Sequence, residues 1–281
     1  MTSSLTDRHM GSFKAAYGPL CESRPGWGLV AALPWDEAVF GFPVSDLRLG
    51  AEPPTVADIA QLREALASYC ERTGSELVSV RVPAPQTRLS AVLVGAGFLY
   101  VDFALLATLP KLDPASLHET GFTLRRAEPA DHEAICHICE SVFQFGRYHT
   151  DPNFPRELAS RRYVQWARRA LSASDQDDVV FVLGAPGKVT GFMHVALHES
   201  SADLRLGAVA SGSSLGFWLY TETLRAVHGL GVRSVSTGIS AANVRVMQVY
   251  SALGFRFSQP ELILHWHSPD AAHLIGKVRR A

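Results

Sequence analysis

Three groupings of residues have types and spacings that can do chemistry. Asn243 and Tyr250 stand seven apart in NVRVMQVYSALGF, residues 243–255. Seven residues make about two helical turns, so on a helix the two share a face. Asn243 there is either an N-cap or a ligand contact. Tyr250 is either a packing aromatic or a phenol placed to hand over a proton. The second grouping is SGSSLG, residues 211–216, between a strand pattern and a helix pattern. Small residues at such a junction leave backbone N–H groups at the positive end of the helix dipole, a geometry that suits phosphate. A plain tight turn has the same composition. The third is His194 and His198, four apart on VTGFMHVALHES, whose alternation is that of a strand. The spacing predicts one shared face. Either ring can take up a proton near neutral pH, or both are simply satisfied or solvated.

Cys136 and Cys139 form CHIC, a CxxC spacing. Zinc would require a second ligand pair at comparable spacing, and no such pair follows. The stretch lies inside a helical pattern, EPADHEAICHICESVF, where Ile135, Ile138, Cys139 and Val142 recur on one face. The cysteines therefore read as helix residues, and no metal site is expected.

The elements that must position these residues alternate. In the first part, WGLVAALPW reads as a strand, 56–74 as a helix stopped by Gly74, 76–83 as a strand, TRLSAVLVGAGF as a short helix, and YVDFALLATLP as a strand. Residues 110–121 are rich in turn formers and read as a linker. Then FTLRRA is a strand, followed by the CHIC helix and the long helix PRELASRRYVQWARRALSA. Three strands follow in a row, DVVFVLG, VTGFMHVALHES and ADLRLGAVA, expected to be antiparallel neighbours. SLGFWLYTETLRAVHGLG is a helix, VRSVSTGIS a strand, NVRVMQVYSALG a helix, and FRFSQPELILHWH a closing strand or hairpin. The class is α/β (α+β). VGAGFLYVDF and SALGFRFSQP share a helix–Gly–Phe–strand layout, a weak internal repeat.

Length and charge bound the rest. The 281 residues favour two domains. Hydrophobic residues make up 47% and charged residues 19%, enough apolar material for a sizeable core. A net charge of −1 gives no basic surplus for nucleic acid. No apolar run is long enough for a membrane span, and MTSSLTDRHMGSFK lacks the apolar core of a signal peptide, so a cytoplasmic protein is expected. Residues 1–25 read as a loose arm and 269–281 as a tail.

Taken together, FTLRRAEPAD, SGSSLG and NVRVMQVYSALGF resemble the GNAT superfamily of acyl-CoA N-acyltransferases over residues 122–267. A narrower resemblance, to TDP-fucosamine N-acetyltransferases, covers nearly the whole chain. It is carried by WDEAVFGFPV and by GRYHTDPNFPRELASRRYVQWARRAL, with Arg147, Asp151, Tyr163 and Trp166 in similar places. The resemblance implies a mixed, mostly antiparallel sheet flanked by helices. An incomplete GNAT-like unit, 26–109, would precede a full acyltransferase domain, 122–268.

It also implies site roles. The coenzyme A pyrophosphate would lie on Gly212, Ser213, Ser214, Leu215 and Gly216. The loop has Ser211 and Ser214 where the family pattern has Gln/Arg and Gly, and it keeps Gly216. The pantetheine arm would pair with strand backbone over Leu206 to Ala210, including Val209, and would touch Asn243. Tyr250 would protonate the departing thiolate. His194 or His198 would take the ammonium proton. Arg147, Tyr148, His149 and His198 would face the acceptor, with Arg147 on a nucleotide phosphate. The implied cosubstrate is acetyl-CoA or another acyl-CoA, without a metal. The implied acceptor is a nucleotide-linked amino sugar. Another small amine remains open, and so does a non-catalytic module that binds acyl-CoA or a partner. The end strand LILHWH could pair across a homodimer or be internal.

Overall fold

The computed structural model describes residues 17–172 and 177–269. Its chain divides into two compact units that are not consecutive in sequence. Among the described residues the N-terminal unit holds 17–104, 145–162 and 259–269, and the C-terminal unit holds 105–144, 163–172 and 177–258. The units do not follow a single linear boundary such as the one expected at 110–121. Residues 145–162 and the end of the chain belong with the first segment, because their apolar side chains pack there and not on the second.

In the N-terminal unit, β1 (Gly18–Pro19), β2 (Gly28–Ala32) and β3 (Val44–Leu49) pair antiparallel. β3 then runs parallel to β4 (Leu77–Pro83), and β4 pairs antiparallel with residues Glu261–His267 of β11 (Arg256–His267). Of the expected arm, Gly18 and Pro19 form a strand and 20–25 lead into β2, while 1–16 and nearly all of the tail lie outside the described residues. The segment after Pro34 turns at once into helix α1 (Pro34–Phe40), since proline suits a helix's first turn and the Gly41 left-handed cap ends it. One face of the sheet is apolar. Val78, Val80, Val82, Leu264 and Trp266 bury against Leu62, Leu66 and Tyr69 of α2 (Ile59–Thr73) and Val92 and Leu93 of α3 (Thr87–Gly95). The other face carries the polar Ser79, Arg81, His265 and His267 by strand alternation, beside the buried apolar Leu77 and Ile263.

In the C-terminal unit, β6 (Leu124–Arg126), β7 (Asp178–Ala185), β8 (Lys188–Leu197) and β9 (Ser201–Val209) form the expected antiparallel run. β10 (Ser234–Ser240) joins β9 in parallel. Helix α4 (His132–Val142) covers one face through Ile135, Ile138 and Cys139, so CHIC is part of a packed helix as expected. It is joined there by Val164 and Ala167 of α6 (Arg156–Ser172). Helices α7 (Gly216–Gly229) and α8 (Val244–Ala252) cover the opposite face, burying Leu219, Leu224, Val227 and Tyr250 on Met193, Val195, Leu204 and Val235. The chain passes between units within β5 (Leu99–Leu109) and again within β11.

The repeated helix–Gly–Phe–strand turn is real in both units. Gly97 and Gly254 take φ of +104° and +83°, the left-handed conformation that glycine reaches without a Cβ penalty. No described helix is long and apolar enough to cross a membrane.

Candidate functional site

The C-terminal unit places its site at an interruption in the sheet. β9 and β10 pair over three residues, Ser234–Ser236 against Ser201–Asp203. Among the described residues that register stops there, and Thr237 Oγ1 instead donates 2.8 Å to the Leu204 carbonyl. At the same level the β8·β9 register slips. His194 pairs with Leu206 and Val195 with Leu204, so Arg205 is an extra, bulged residue. A bulge bends and twists its strand and is common beside active sites. Leu206, Val209 and Ala210, expected to meet a pantetheine arm, lie on or just beyond this continuation, where β9 keeps a ladder partner only in β8.

β9 then leads through Ser211–Leu215 into α7. Gly212 has φ of +76° and open space at its Cβ position, as does Gly216. Ser213 N–H donates to the Ala210 carbonyl, and Ser213 Oγ accepts from Leu215 N–H at 3.2 Å. Part of the loop's hydrogen-bonding capacity is thereby spent on its own shape. The first N–H groups of α7 have no carbonyl of their own helix to reach, and no acidic residue sits in its first turn. These features suit an anion at the helix start.

Tyr250 is buried in the core, 4% exposed. Its ring meets Tyr220 edge-on at 5.1 Å and Phe255 at 4.8 Å. It is thus a packing aromatic, and its hydroxyl has Thr237 and Tyr220 as partners. Burial, then the neighbouring Tyr220, pushes its phenol well above the ordinary value, so it keeps its proton at neutral pH. Asn243 is the N-cap of α8, accepting from Val246 N–H at 3.4 Å.

His194 is buried, and its Nε2 lies 3.0 Å from Asp178 Oδ1. An ionised carboxylate only accepts, so this nitrogen carries a hydrogen. The ring's Nδ1 is buried without a hydrogen-bond partner. Hydrogen bonding from His194, with Arg205 at 3.1 Å, holds the Asp178 carboxyl below the usual carboxylate range. His198 does not join it. The strand ends at Leu197, and His198 is half-exposed against Asp203 at 3.2 Å. The expected shared face fails because the alternation stops one residue too early.

Arg147 and Tyr148, expected to face the acceptor, lie in the N-terminal unit within a buried polar cluster. Helix α5 (Arg147–Thr150) brings Arg147 NH2 to 3.4 Å from Asp36 and 3.1 Å from the Tyr148 hydroxyl. Tyr148 donates to Asp36 at 2.7 Å, and Arg162 Nε donates to Asp36 at 2.7 Å. Burial works against the charge of Asp36, but the two guanidiniums outweigh it and hold the carboxyl below its ordinary range. Arg147, expected on a nucleotide phosphate, is thus buried and paired with Asp36 and Tyr148. His149 reaches Ser160 at 3.2 Å, and burial pushes its ring down to about 4.

Sequence reasoning gave no role to Asp36, Arg162, Asp178, Arg205, His265 or His267. Two signals were readable: the acidic residue inside WDEAVF, and the HWH alternation, which puts two histidines on one strand face. Asp178 and the bulged Arg205 had none, since they matter only through cross-strand register.

No protein-family model matches the chain. A curated relative, the spore coat polysaccharide biosynthesis protein SpsD of Bacillus subtilis (strain 168), is 26% identical over 243 residues, covering 84% of this chain and 82% of that protein. Two solved structures are similar in fold. A GCN5-related N-acetyltransferase from Sphaerobacter thermophilus aligns with a TM-score of 0.58 and 14% identity, over 86% of this chain and 76% of that one. A tandem GNAT protein from the clavulanic acid biosynthesis pathway aligns at 0.53 and 17%, over 85% and 78%. The fold is that of the GCN5-related N-acetyltransferases.

Proposed function

We propose that this chain is an acetyl-CoA-dependent N-acetyltransferase of a small-molecule amine, and that the amine belongs to a nucleotide-linked amino sugar. The observation that carries the reading is the parting of β9 from β10 beside the Arg205 bulge, followed directly by the Gly212–Gly216 loop and the start of α7. An open strand edge suits the amides of a pantetheine arm. A helix start without acidic residues suits its pyrophosphate. The sugar acceptor is supported by the likeness to a protein named for polysaccharide biosynthesis.

The chemistry follows from which groups hold protons. Acetyl-CoA supplies the acetyl group. The free amine attacks the carbonyl carbon, and backbone N–H on the unpaired edge of β9 stabilises the developing oxyanion. His194 Nδ1, which has no hydrogen-bond partner while Nε2 is held by Asp178, accepts the ammonium proton. Tyr250, which keeps its proton at neutral pH, gives it to the leaving thiolate, a role worth about 10²–10⁴-fold in rate.

The test is coenzyme A release from acetyl-CoA with dTDP-4-amino-4,6-dideoxygalactose as acceptor, read by product mass. A product heavier by one acetyl group supports reaction and acceptor together. Acetyl-CoA binding without turnover on this or any other nucleotide-linked amino sugar would discard that acceptor class and leave other small amines. No acetyl-CoA binding would defeat the proposal.

A further inference from the structure

Asp151, His265 and His267 converge in the N-terminal unit, apart from any step assigned above. Asp151 follows α5, and the histidines stand two apart on β11, on the same face of the strand. Asp151 Oδ2 lies 2.7 Å from His265 Nδ1 and 2.8 Å from His267 Nε2. The three donor atoms all lie within 4.8 Å of one another. The side chains of Asp151 and His265 are fully buried, and that of His267 is 16% exposed, which leaves one side open to solvent.

We propose that Asp151, His265 and His267 form a binding site for a zinc-class divalent ion that clips β11 to the segment after α5. Two imidazoles and one carboxylate are a donor set that zinc-type ions take, and a fourth position is left for water. Zinc bonds of about 2.0–2.2 Å at tetrahedral angles put donors about 3.3 Å apart, so the cluster has to open by about half an ångström. The carboxylate is already oriented, since Asp151 Oδ1 accepts from Asn153 N–H at 2.9 Å. The outer side of His265 is provided for as well. With Nδ1 on the ion, Nε2 carries a hydrogen, and that atom is buried without a partner. Ser79 is paired with His265 across β4·β11, and its buried hydroxyl likewise has no partner, so it is an acceptor on the same face. Ligating histidines usually donate their second N–H to such a group.

The test uses the full chain, stripped with a chelator and titrated with zinc and, separately, with cobalt. The expected result is one zinc per chain by elemental analysis, a visible cobalt d–d band, and a Tm raised by zinc. His267→Ala removes the most exposed ligand and should leave the metal-free Tm near wild type. It should weaken zinc at least tenfold and abolish both the band and the Tm rise. Asp151→Asn should do the same if it folds. Absence of stoichiometric zinc in the wild type, or zinc retained undiminished by His267→Ala, would overturn the site and leave a hydrogen-bonded Asp–His–His cluster only. Neither outcome depends on acetyl transfer.

Discussion

Each unit contains a parallel strand–helix–strand crossover, and the two junctions that start their helices are built in opposite ways. In the N-terminal unit the chain leaves β3 through GAEPPTVAD, residues 50–58. Pro53 and Pro54 have no N–H to offer. Thr55 and Asp58 close a capping box, with the Asp58 carboxylate accepting the Thr55 N–H at 2.8 Å. This helix start is already occupied by the chain's own negative charge. In the C-terminal unit the corresponding junction is SGSSLG, with Gly212 in the left-handed region and no acid in the first turn. The same supersecondary unit is therefore sealed once and left open once. The N-terminal unit also spends the buried charges around Asp36 on one another.

The largest expected effect breaks the sealed half. Asp36→Ala removes the buried carboxylate that the Arg147 and Arg162 guanidiniums share and should destabilise the protein by about 3–5 kcal/mol, measured by denaturant unfolding. A loss below about 1 kcal/mol would mean that this cluster does not hold the unit together. Tyr250→Phe probes the open half. It should lower kcat by about 10²–10⁴-fold and change acetyl-CoA affinity little; unchanged turnover removes Tyr250 as the thiolate acid and leaves it a core ring.

How much of this was legible in the sequence depends on the range of the interaction. The α/β alternation, the antiparallel run β7–β9, the Gly97 and Gly254 turns and the Asn243 cap are local, and residue type with spacing sufficed for them. Helix α1 was missed because Pro34 reads as a strand's end as readily as a helix's start. The site's deciding features are not local. The Arg205 bulge, the early end of β10 pairing and the Asp178–His194 contact depend on register between strands far apart in sequence. The pairing of Arg147 with Asp36 was not legible either, because the two stand 111 residues apart.

Two smaller effects sharpen the comparison. Ser214→Asp puts into the open junction the kind of charge that the sealed one holds. It should weaken acetyl-CoA binding about tenfold or more while leaving Tm unchanged or slightly raised, since an acid at a helix start favours the fold. Equal loss of binding and stability would mean that the loop was simply damaged. Acid unfolding should depend on Asp131. The hydrogen bond from Arg125 outweighs burial, and this carboxyl, with a bidentate partner at 2.6 and 2.8 Å, is held well below the usual range. Its folded pKa is depressed, so its contribution is complete above the ordinary carboxylate pKa of about 4 and is lost as pH falls below it. Unfolding curves between pH 7 and pH 2 should show Asp131→Asn less stable at pH 7 and closer to wild type at low pH.

The central claim, that the C-terminal unit carries the acyl-CoA site and the N-terminal unit does not, is tested most directly by amide hydrogen exchange with and without acetyl-CoA. Protection is predicted in residues 204–217 and around Asn243, with none gained in 50–58. Protection confined to the N-terminal unit, or bound acetyl-CoA with no change in 204–217, would contradict it.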